Sequence, residues 1–373
     1  QGPLHIKFIA ETQGIPQNYL EQLLVKLKKA QIVKSYRGAQ REIEADRIII
    51  ATGSKSATLP FFDFEQPNVL NSTKALELKE VPESILIVGA GIIGSEFASI
   101  FNALGTQITM VEMMDQILPG EDPRIARQMQ QIFRKGGINI FTKTTIEGIT
   151  NNKHSNNIIA KLDNGEKVHT EKLLVSIGRE PNSKFLGLED IGIKLDQKGN
   201  IIVNERMETN IEGVYAVGDV IGGILLAHVA SAEGIIASEN AVGFNSRIDY
   251  TLVPNTIYTH PQIASVGLTA DKAKLIGRKV KLGRFPFSAN SKAKILKEKA
   301  GFVQIVVDEE TDKVLGAQII GSYATELIHE LVLIIKFGIT AEEVSNTIHA
   351  HPTLAESIRE AALSIHGRAI HSV

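Results

Sequence analysis

The chain has 373 residues, of which 43% are hydrophobic and 22% charged, and its formal net charge is −2. This length and composition predict an ordinary globular protein of two or three domains, and the near-zero charge argues against nucleic acid or an anionic membrane as partner of the whole chain. The sequence contains no cysteine, which excludes disulfides, thiolate metal sites and a redox dithiol supplied by these residues.

Targeting signals are not recognisable in the sequence. No apolar run reaches the ~18 residues that span a bilayer, and the N-terminus lacks a basic segment followed by an apolar core. We therefore expect a cytoplasmic protein without a membrane partner. The first residue is not Met, so we also expect the sequence to be cut from a longer reading frame.

The first forty residues predict a short helix-turn-helix fragment. Gly14 is suited to end the first helix, Pro16 to begin the second, and leucines follow at helical spacing from Leu20. Residues 1–40 carry six basic and two acidic side chains, a net +4, as a DNA-reading segment requires. Two short helices with a solvated basic face are the alternative interpretation. The run IAETQGIPQNYLEQLLVKLKKAQIVKSYRGAQ resembles winged-helix repressors of iron–sulfur-cluster and cysteine metabolism.

The stretch ADRIIIATGS predicts a strand that runs into a glycine turn. Three consecutive isoleucines, Ile48 to Ile50, favour a strand covered on both faces. Gly53 lets the chain turn where a side chain would clash.

A dinucleotide-binding unit is predicted from Ser84 onwards. SILIV reads as a buried strand, GAGIIG supplies Gly89, Gly91 and Gly94, a helix follows, and QITMVE is the next strand. Glu112 ends that strand 18 residues after Gly94, the position of the acid that binds the adenosine ribose. No arginine stands beside it, which favours NAD over NADP.

A second nucleotide signal follows at TNIEGVYAVGDVIGG. GVYAV predicts a buried strand that ends at Gly218-Asp219. A carboxylate at the carboxyl end of a strand suits a hydrogen bond to a ribose or ribityl hydroxyl.

The C-terminal stretch TIHAHPTLAESIREA predicts an acid–base pair. Pro352 is suited to the first turn of a helix, which places His351 before it and Glu356 about one turn on. Glu356 can then orient one imidazole nitrogen and leave the other as a proton acceptor. Two alternatives remain at this point: a metal site of His349, His351 and Glu356, or a helix cap with an incidental ion pair. We predict no metal.

Taken in order, these motifs resemble the dihydrolipoyl dehydrogenase family of class I pyridine nucleotide-disulfide oxidoreductases. The resemblance runs from about Arg41 to the end of the chain; glutathione and mercuric reductases share the layout but fit less well. The motifs that carry it are EADRIIIATGS, VGAGIIGSEFASIF, VEMMDQILPGED, SIGREPNS, TNIEGVYAVGDV, LAHVASAEG, YTHPQIASVG and IHAHPTLAE.

The resemblance implies a cofactor, a role and a partner for each part of the chain. It implies that NAD is held by the glycine turn and the acid after it, with Gly178 beside the nicotinamide; the residues are Gly89, Gly91, Gly94 and Glu112. FAD would lie against Gly53, Asp219 and Ala227, with Glu96 near the path of the hydride. His351 would be the catalytic base, oriented by Glu356. It also implies an obligate homodimer that serves a 2-oxo acid dehydrogenase complex carrying lipoyl groups.

The fold class expected from the resemblance is α/β with a C-terminal α+β dimerisation domain. The expected domains are a helix-turn-helix fragment at 1–40, an incomplete FAD-binding domain at 41–59 and 185–250, an NAD-binding domain at 60–184 and a dimerisation domain at 251–373. The incomplete FAD layer is expected to expose apolar strand edges.

The family's first glycine-rich unit and its Cys-x4-Cys pair would stand upstream of ATGS, where the repressor-like segment stands instead. A chain without thiols cannot exchange with a lipoyl disulfide, so we expect no lipoamide activity. The alternative interpretation is a DNA-binding regulator fused to an NAD-binding module. We favour the joining of two unrelated fragments in one reading frame as the origin of the junction between residues 40 and 41.

Overall fold

The computed structural model describes residues 45–151 and 157–371. The helix-turn-helix fragment predicted at 1–40 lies outside the described residues, so its fold remains a prediction. None of the helices within the described ranges is both long enough and apolar enough to cross a membrane.

The helices and strands follow one another as α/β and then α+β segments. The strands are β1 (Ile48–Ile50), β2 (Ser54–Ser56), β3 (Val69–Leu70), β4 (Ser84–Val88), β5 (Gln107–Glu112), β6 (Asn139–Thr142), β7 (Ile146–Asn151), β8 (Ile158–Leu162), β9 (Lys167–Thr170), β10 (Lys172–Val175), β11 (Arg179–Pro181), β12 (Val214–Ala216), β13 (Asn255–Ile257), β14 (Gln262–Gly267), β15 (Val280–Pro286), β16 (Phe302–Asp308) and β17 (Val314–Gly321). The helices are α1 (Ser72–Leu76), α2 (Ile92–Ala103), α3 (Pro123–Lys135), α4 (Ala227–Ala241), α5 (Ala270–Leu275), α6 (Ser291–Leu296), α7 (Ala324–Lys336), α8 (Ala341–Asn346) and α9 (Glu356–Ile365).

These elements form two compact units. The first comprises the described residues up to Lys55 together with Glu180–Ile248. The second comprises Ser56–Arg179 and the described residues from Asp249 onwards. The chain therefore leaves the first unit after Lys55, returns to it at Glu180 and leaves it again after Ile248, so each unit is built from segments that are distant in sequence.

A parallel sheet in the order β3-β10-β4-β5-β6 forms one layer of the second unit. Its central strand β4 is buried on both faces, as the apolar run SILIV predicts. On one face Ile85 and Ile87 pack with Phe97 of α2 and Met129 of α3. On the other face Leu86 packs against the antiparallel sheet β7-β8-β9. The predicted strand, helix and strand of this unit are confirmed.

An antiparallel sheet in the order β13-β14-β17-β16-β15 forms the other part of the second unit. Helices α7 and α9 cover it, because Ile328 and Ile358 join the core that contains Ile305 and Ile319. The face of α7 turned away from this core keeps Leu333 exposed, and Phe337 just after the helix is exposed as well. The α/β and α+β parts expected from the sequence are therefore both present.

The first unit contains a short parallel pair, β1 with β12, in which Ile49 lies opposite Tyr215. Tyr215 is buried, as predicted for GVYAV. The prediction that β1 is covered on both faces is wrong, because Ile48 and Ile49 are 49% and 39% exposed. Within the described residues β1 has a neighbour on only one edge, so an apolar sequence does not ensure burial here.

Buried polar contacts join the parallel and antiparallel layers of the second unit. Glu121 follows β5 and is almost fully buried. Its Oε1 accepts hydrogen bonds from the Asn255 side chain at 2.5 Å and from the Ser265 hydroxyl at 3.2 Å. Burial raises the pKa of Glu121 above its usual range, more than these hydrogen bonds and the charge of Lys272 lower it.

We predict that Glu121 costs stability at neutral pH. Its pKa is higher in the folded than in the unfolded chain, so the folded protein loses stability as pH rises from the unfolded pKa through the folded pKa. Glu121→Gln keeps an acceptor for Asn255 without the buried charge. Thermal unfolding at several pH values should give the variant a melting temperature equal to or above that of the parent at neutral pH. As the solution is acidified, the melting temperature of the parent should rise relative to that of the variant.

Glu80→Gln is the matched control, because Glu80 is exposed in the same unit. It should leave the pH dependence of unfolding unchanged. A Glu121→Gln variant that melts below the parent at neutral pH would show that the carboxylate stabilises this contact instead.

Candidate functional site

The turn between β4 and α2 uses each of its three glycines differently. A Cβ on Gly89, whose φ is +94°, would lie 2.5 Å from the Ser176 carbonyl oxygen. A Cβ on Gly94 would lie 2.0 Å from the Gly89 carbonyl oxygen. At Gly91 no atom of the described residues lies within 4 Å of a Cβ position. Gly89 and Gly94 therefore allow the backbone to pack closely, whereas Gly91 leaves open space above the turn.

The open space at Gly91 lies at the N-terminus of α2. Gly91 is the N-cap and offers no side chain to the first N–H groups of the helix. Such N–H groups, with the positive end of the helix dipole, bind phosphate oxygens. A cradle that a Cβ would fill, at the start of a 12-residue helix, fits the pyrophosphate of a dinucleotide.

Glu112 lies at the end of β5, beside this turn, and is buried. Its Oε2 accepts a hydrogen bond from Ala90 N–H at 2.7 Å, and its Oε1 accepts one from Met114 N–H at 2.9 Å. The carboxylate is thereby fixed, and each oxygen keeps a further lone pair for a ribose hydroxyl. The structure brings the four predicted residues of this turn, the glycines and Glu112, together.

Ser176, which the sequence did not single out, fastens the same turn. It follows β10, the neighbour of β4, and its hydroxyl lies 2.8 Å from the Gly89 carbonyl and 3.0 Å from that of Val88. Gly178 comes two residues later with φ +133°, and residues 45–151 and 157–371 place no atom within 4 Å of its Cβ position. Gly178 thus lies past the carboxyl end of a strand that adjoins the turn. The motif SIGREPN was the available signal for Ser176.

Glu96 faces the antiparallel sheet from α2. Its Oε1 accepts a hydrogen bond from Tyr258 N–H at 2.8 Å, and one turn later the Ser99 hydroxyl accepts one from His260 N–H at 2.8 Å. Burial raises the pKa of Glu96, although the Tyr258 N–H acts in the opposite direction. The helix of the glycine turn is therefore hydrogen-bonded to the loop before β14.

The predicted flavin-side residues lie in the first unit. Gly53 follows β1 with φ +69°, and no atom of the described part of the chain lies within 4 Å of its Cβ position. The neighbouring Ser54 hydroxyl donates to Asp219, which follows β12. Because β1 and β12 are parallel, their carboxyl ends place Gly53 and Asp219 at one edge, a geometry that fits a polyhydroxyl chain. Ala227 is the first residue of α4.

The pair of His351 and Glu356 is present, with Nδ1 of the imidazole 3.0 Å from Glu356 Oε1. Burial alone would raise the pKa of Glu356, but the Thr353 N–H at 2.8 Å and His351 together lower it. The predicted local reason for the pair is wrong. Pro352 does not begin the helix, because α9 begins four residues later, at Glu356. The pair therefore spans a loop.

The alternative metal set is not assembled. Nε2 of His349 lies 2.9 Å from Glu330 Oε1 on α7, whereas His351 turns to Glu356. Among residues 45–151 and 157–371, no group of three or more His, Cys, Asp or Glu side chains is arranged to hold a metal ion. Glu330 was missed by the sequence analysis, since it lies 19 residues before His349 and no short motif contains both.

Comparison with known proteins places this geometry in a family. The sequence matches the profile of the pyridine nucleotide-disulphide oxidoreductases over residues 6–234, and the profile of their dimerisation domain over residues 253–362. The first match includes most of the residues, 1–40, that were predicted to form a helix-turn-helix fragment.

Individual proteins are similar over most of the chain. The dihydrolipoyl dehydrogenase of Bacillus subtilis (strain 168) is 46% identical over 329 residues, 87% of this chain and 69% of that protein. The dihydrolipoyl dehydrogenase of Thermus scotoductus is 40% identical over 361 residues, 93% of this chain and 78% of that protein. The structure of LpdA from Mycobacterium tuberculosis aligns with a TM-score of 0.82 at 29% identity, over 89% of this chain and 72% of that one. Because the chain contains the glycine turn, matches both family profiles and is similar to these relatives over most of its length, this protein belongs to the pyridine nucleotide-disulphide oxidoreductase family.

Proposed function

We propose that this chain is a flavoprotein oxidoreductase of the dihydrolipoyl dehydrogenase type, which moves electrons between a dithiol and NAD. The observation that carries the proposal is the pair of His351 and Glu356, because a glycine turn alone serves many NAD enzymes. The named relatives are dihydrolipoyl dehydrogenases, and members of that family use FAD and NAD. When bound, these cofactors supply hydride and electron transfer.

The residues of the glycine turn are proposed to hold NAD. Gly91 and the N-terminus of α2 support the pyrophosphate because that space is open. Glu112 supports the adenosine ribose, and its carboxylate disfavours the 2′-phosphate of NADP. Gly178 is proposed to face the nicotinamide, since its backbone admits a close ligand.

The flavin is proposed to contact Gly53, Asp219 and the start of α4 at Ala227. The open space at Gly53 and the placement of Asp219 at a strand end support this assignment. Glu96 is proposed to lie on the side where hydride passes. Its raised pKa follows from burial, as expected for a carboxyl in a closed site.

His351 is proposed as the base that takes the dithiol proton. Its Nδ1 faces the Glu356 carboxylate, so Nδ1 carries the proton of the neutral ring and Nε2 is the acceptor. The sequence has no cysteine, so the thiols that exchange with a lipoyl substrate are not among these residues. We therefore propose that this chain by itself oxidises NADH with an artificial acceptor but does not turn over lipoamide.

The assembly and location follow from the same proposal. The dimerisation domain at 253–362 supports a homodimer, and the relatives support service to a 2-oxo acid dehydrogenase complex. The domain limits given above and a cytoplasmic location remain part of the proposal. DNA binding through residues 1–40 is not part of the proposal, since no comparison supports it and these residues lie outside the described ranges.

We predict that Gly91→Ala and Gly94→Ala separate cofactor binding from folding. At Gly91 a methyl group would meet no atom of the described residues, so the free energy of unfolding should change by less than about 1 kcal/mol. The affinity for NADH should fall roughly tenfold or more, because the methyl group enters the pyrophosphate space. At Gly94 the methyl would lie 2.0 Å from the Gly89 carbonyl, so stability should fall as well. NADH titration followed by nicotinamide fluorescence measures the affinity. Unchanged NADH affinity in folded Gly91→Ala would remove the turn from the binding site.

The flavin proposal is tested by the visible spectrum of the purified chain before any addition. A flavin band equivalent to one FAD per chain is expected, followed by NADH oxidation with an artificial acceptor and no rate with lipoamide. A colourless protein that does not take up added FAD would contradict the flavin assignment. A lipoamide rate would contradict the argument from the missing thiols.

A further inference from the structure

His349 stands two residues before the proposed base, and its environment differs from that of His351. The side chain of His349 is only 7% exposed, whereas that of His351 is 68% exposed. Nε2 of His349 lies 2.9 Å from Glu330 Oε1, and its Nδ1 lies 3.0 Å from the Thr347 carbonyl oxygen. Both ring nitrogens of a buried imidazole therefore face hydrogen-bond acceptors.

This arrangement favours the doubly protonated ring. A neutral imidazole carries one N–H, so it can satisfy only one of the two acceptors and would hold a lone pair against the other. The imidazolium donates to both and neutralises the carboxylate of Glu330. In line with this geometry, the hydrogen bond to Glu330 raises the pKa of His349, against the effect of burial and of the Arg359 charge.

The loop that carries His349 also carries the base. It runs from the end of α8 at Asn346 to the start of α9 at Glu356. Within it, the Thr353 hydroxyl donates to the Ala350 carbonyl at 2.7 Å, and Thr353 N–H donates to Glu356. These bonds fix the loop to itself and to α9.

Besides the bonds of the loop to α8 and α9 and the packing of Leu354 in the core, two hydrogen bonds from other described residues hold the loop. The Asn290 side chain donates to the Thr353 carbonyl at 3.0 Å, and His349 reaches Glu330 on α7. Of these two, the contact through His349 is the charged one, and it is the one on the N-terminal side of His351.

We propose that His349 is a positioning residue: its imidazolium forms an ion-paired link between α7 and the base loop, so that the orientation of His351 depends on a proton held by His349. The proposal rests on the assignment of His351 as base. It adds that Glu330, far away in sequence, belongs to the machinery of the site.

The link has a defined pH dependence. The pKa of His349 is higher in the folded than in the unfolded chain, so its stabilising effect is full below the unfolded pKa and is lost as pH rises through the folded pKa. Other ionisable groups face the same cleft, and they are His351, Glu356, Arg359, Glu360 and His371. Arg359 opposes the charge on His349, and the Glu330 carboxylate outweighs it.

The first test needs only the parent protein. Histidine ring resonances of the full 373-residue chain, labelled with 15N and 13C, are followed by NMR as pH is raised, and His349 is assigned through its backbone. We expect its ring to keep imidazolium shifts to a higher pH than the histidines of the same chain in denaturant. A His349 ring that is neutral where the denatured chain is half-protonated would overturn the proposal.

The second test compares Glu330→Gln with Glu326→Gln. Both substitutions remove one charge from α7, but the Glu326 side chain is exposed one turn earlier. In Glu330→Gln the His349 titration should shift to lower pH, amide hydrogen exchange of residues 347–353 should accelerate about tenfold, and the downfield Nδ1–H resonance of His351 should weaken. Glu326→Gln should leave all three unchanged. Equal behaviour of the two variants would overturn the link.

These measurements require neither flavin, NAD nor thiol substrate. A neutral His349 would therefore leave the proposed oxidoreductase function intact. Conversely, a colourless chain without NADH oxidation would leave the His349–Glu330 link to be judged by its own titration. If Glu330→Gln does not fold, the titration of the parent protein still decides.

Discussion

The close approach of α2 to its own glycine turn is the constraint on which the second unit depends. Gly94 leaves so little room that a methyl group would lie 2.0 Å from the Gly89 carbonyl, and the helix therefore starts directly against β4. This position opens the space over Gly91 at one end of α2. Farther along the helix, the same position directs Glu96 and Ser99 to the N–H groups of Tyr258 and His260. A glycine packing requirement thus sets both the cradle and the docking of the antiparallel sheet.

Polar side chains, as well as apolar ones, fix the contact between these two layers. Ile257 and Phe302 share a core with the strands of the parallel sheet, but apolar contacts are tolerant of small sliding movements. Glu96 and Glu121 accept directional hydrogen bonds at the edge of that core, and burial raises the pKa of both. A buried carboxyl left without its donors costs more than the bond contributes. These residues therefore favour a single register at some expense in stability.

The sequence predicts contacts between residues that are close along the chain, and it misses contacts between residues that are far apart along the chain. The β4–turn–α2–β5 unit is predictable because its signals, an apolar run, GAGIIG and an acid at the end of the next strand, lie within 29 residues of one another. The pair of His351 and Glu356 is also predictable, although the predicted start of the helix at Pro352 is wrong, since the helix begins only at Glu356 and Pro352 stays in the loop. Ser176 and Glu330 approach their partners only in the folded chain. For β1 the apolar run gives the strand but not its burial, because burial depends on neighbours that composition does not specify.

The two histidines of the base loop show how burial assigns different chemistry to one residue type. Both pair with a glutamate at about the same distance, 2.9 Å for His349 and 3.0 Å for His351. The His349 side chain is 7% exposed and its Nδ1 lies 3.0 Å from a backbone carbonyl oxygen, so a proton on each ring nitrogen satisfies both acceptors. The side chain of His351 is mostly exposed, and none of the described residues accepts or donates a hydrogen bond at its Nε2, which leaves this nitrogen able to accept a proton. The ring of His349 therefore suits a fixed charge, and the ring of His351 suits a proton that is taken up and released. The loop requires both histidines, because the position of His351 depends on the anchoring of His349.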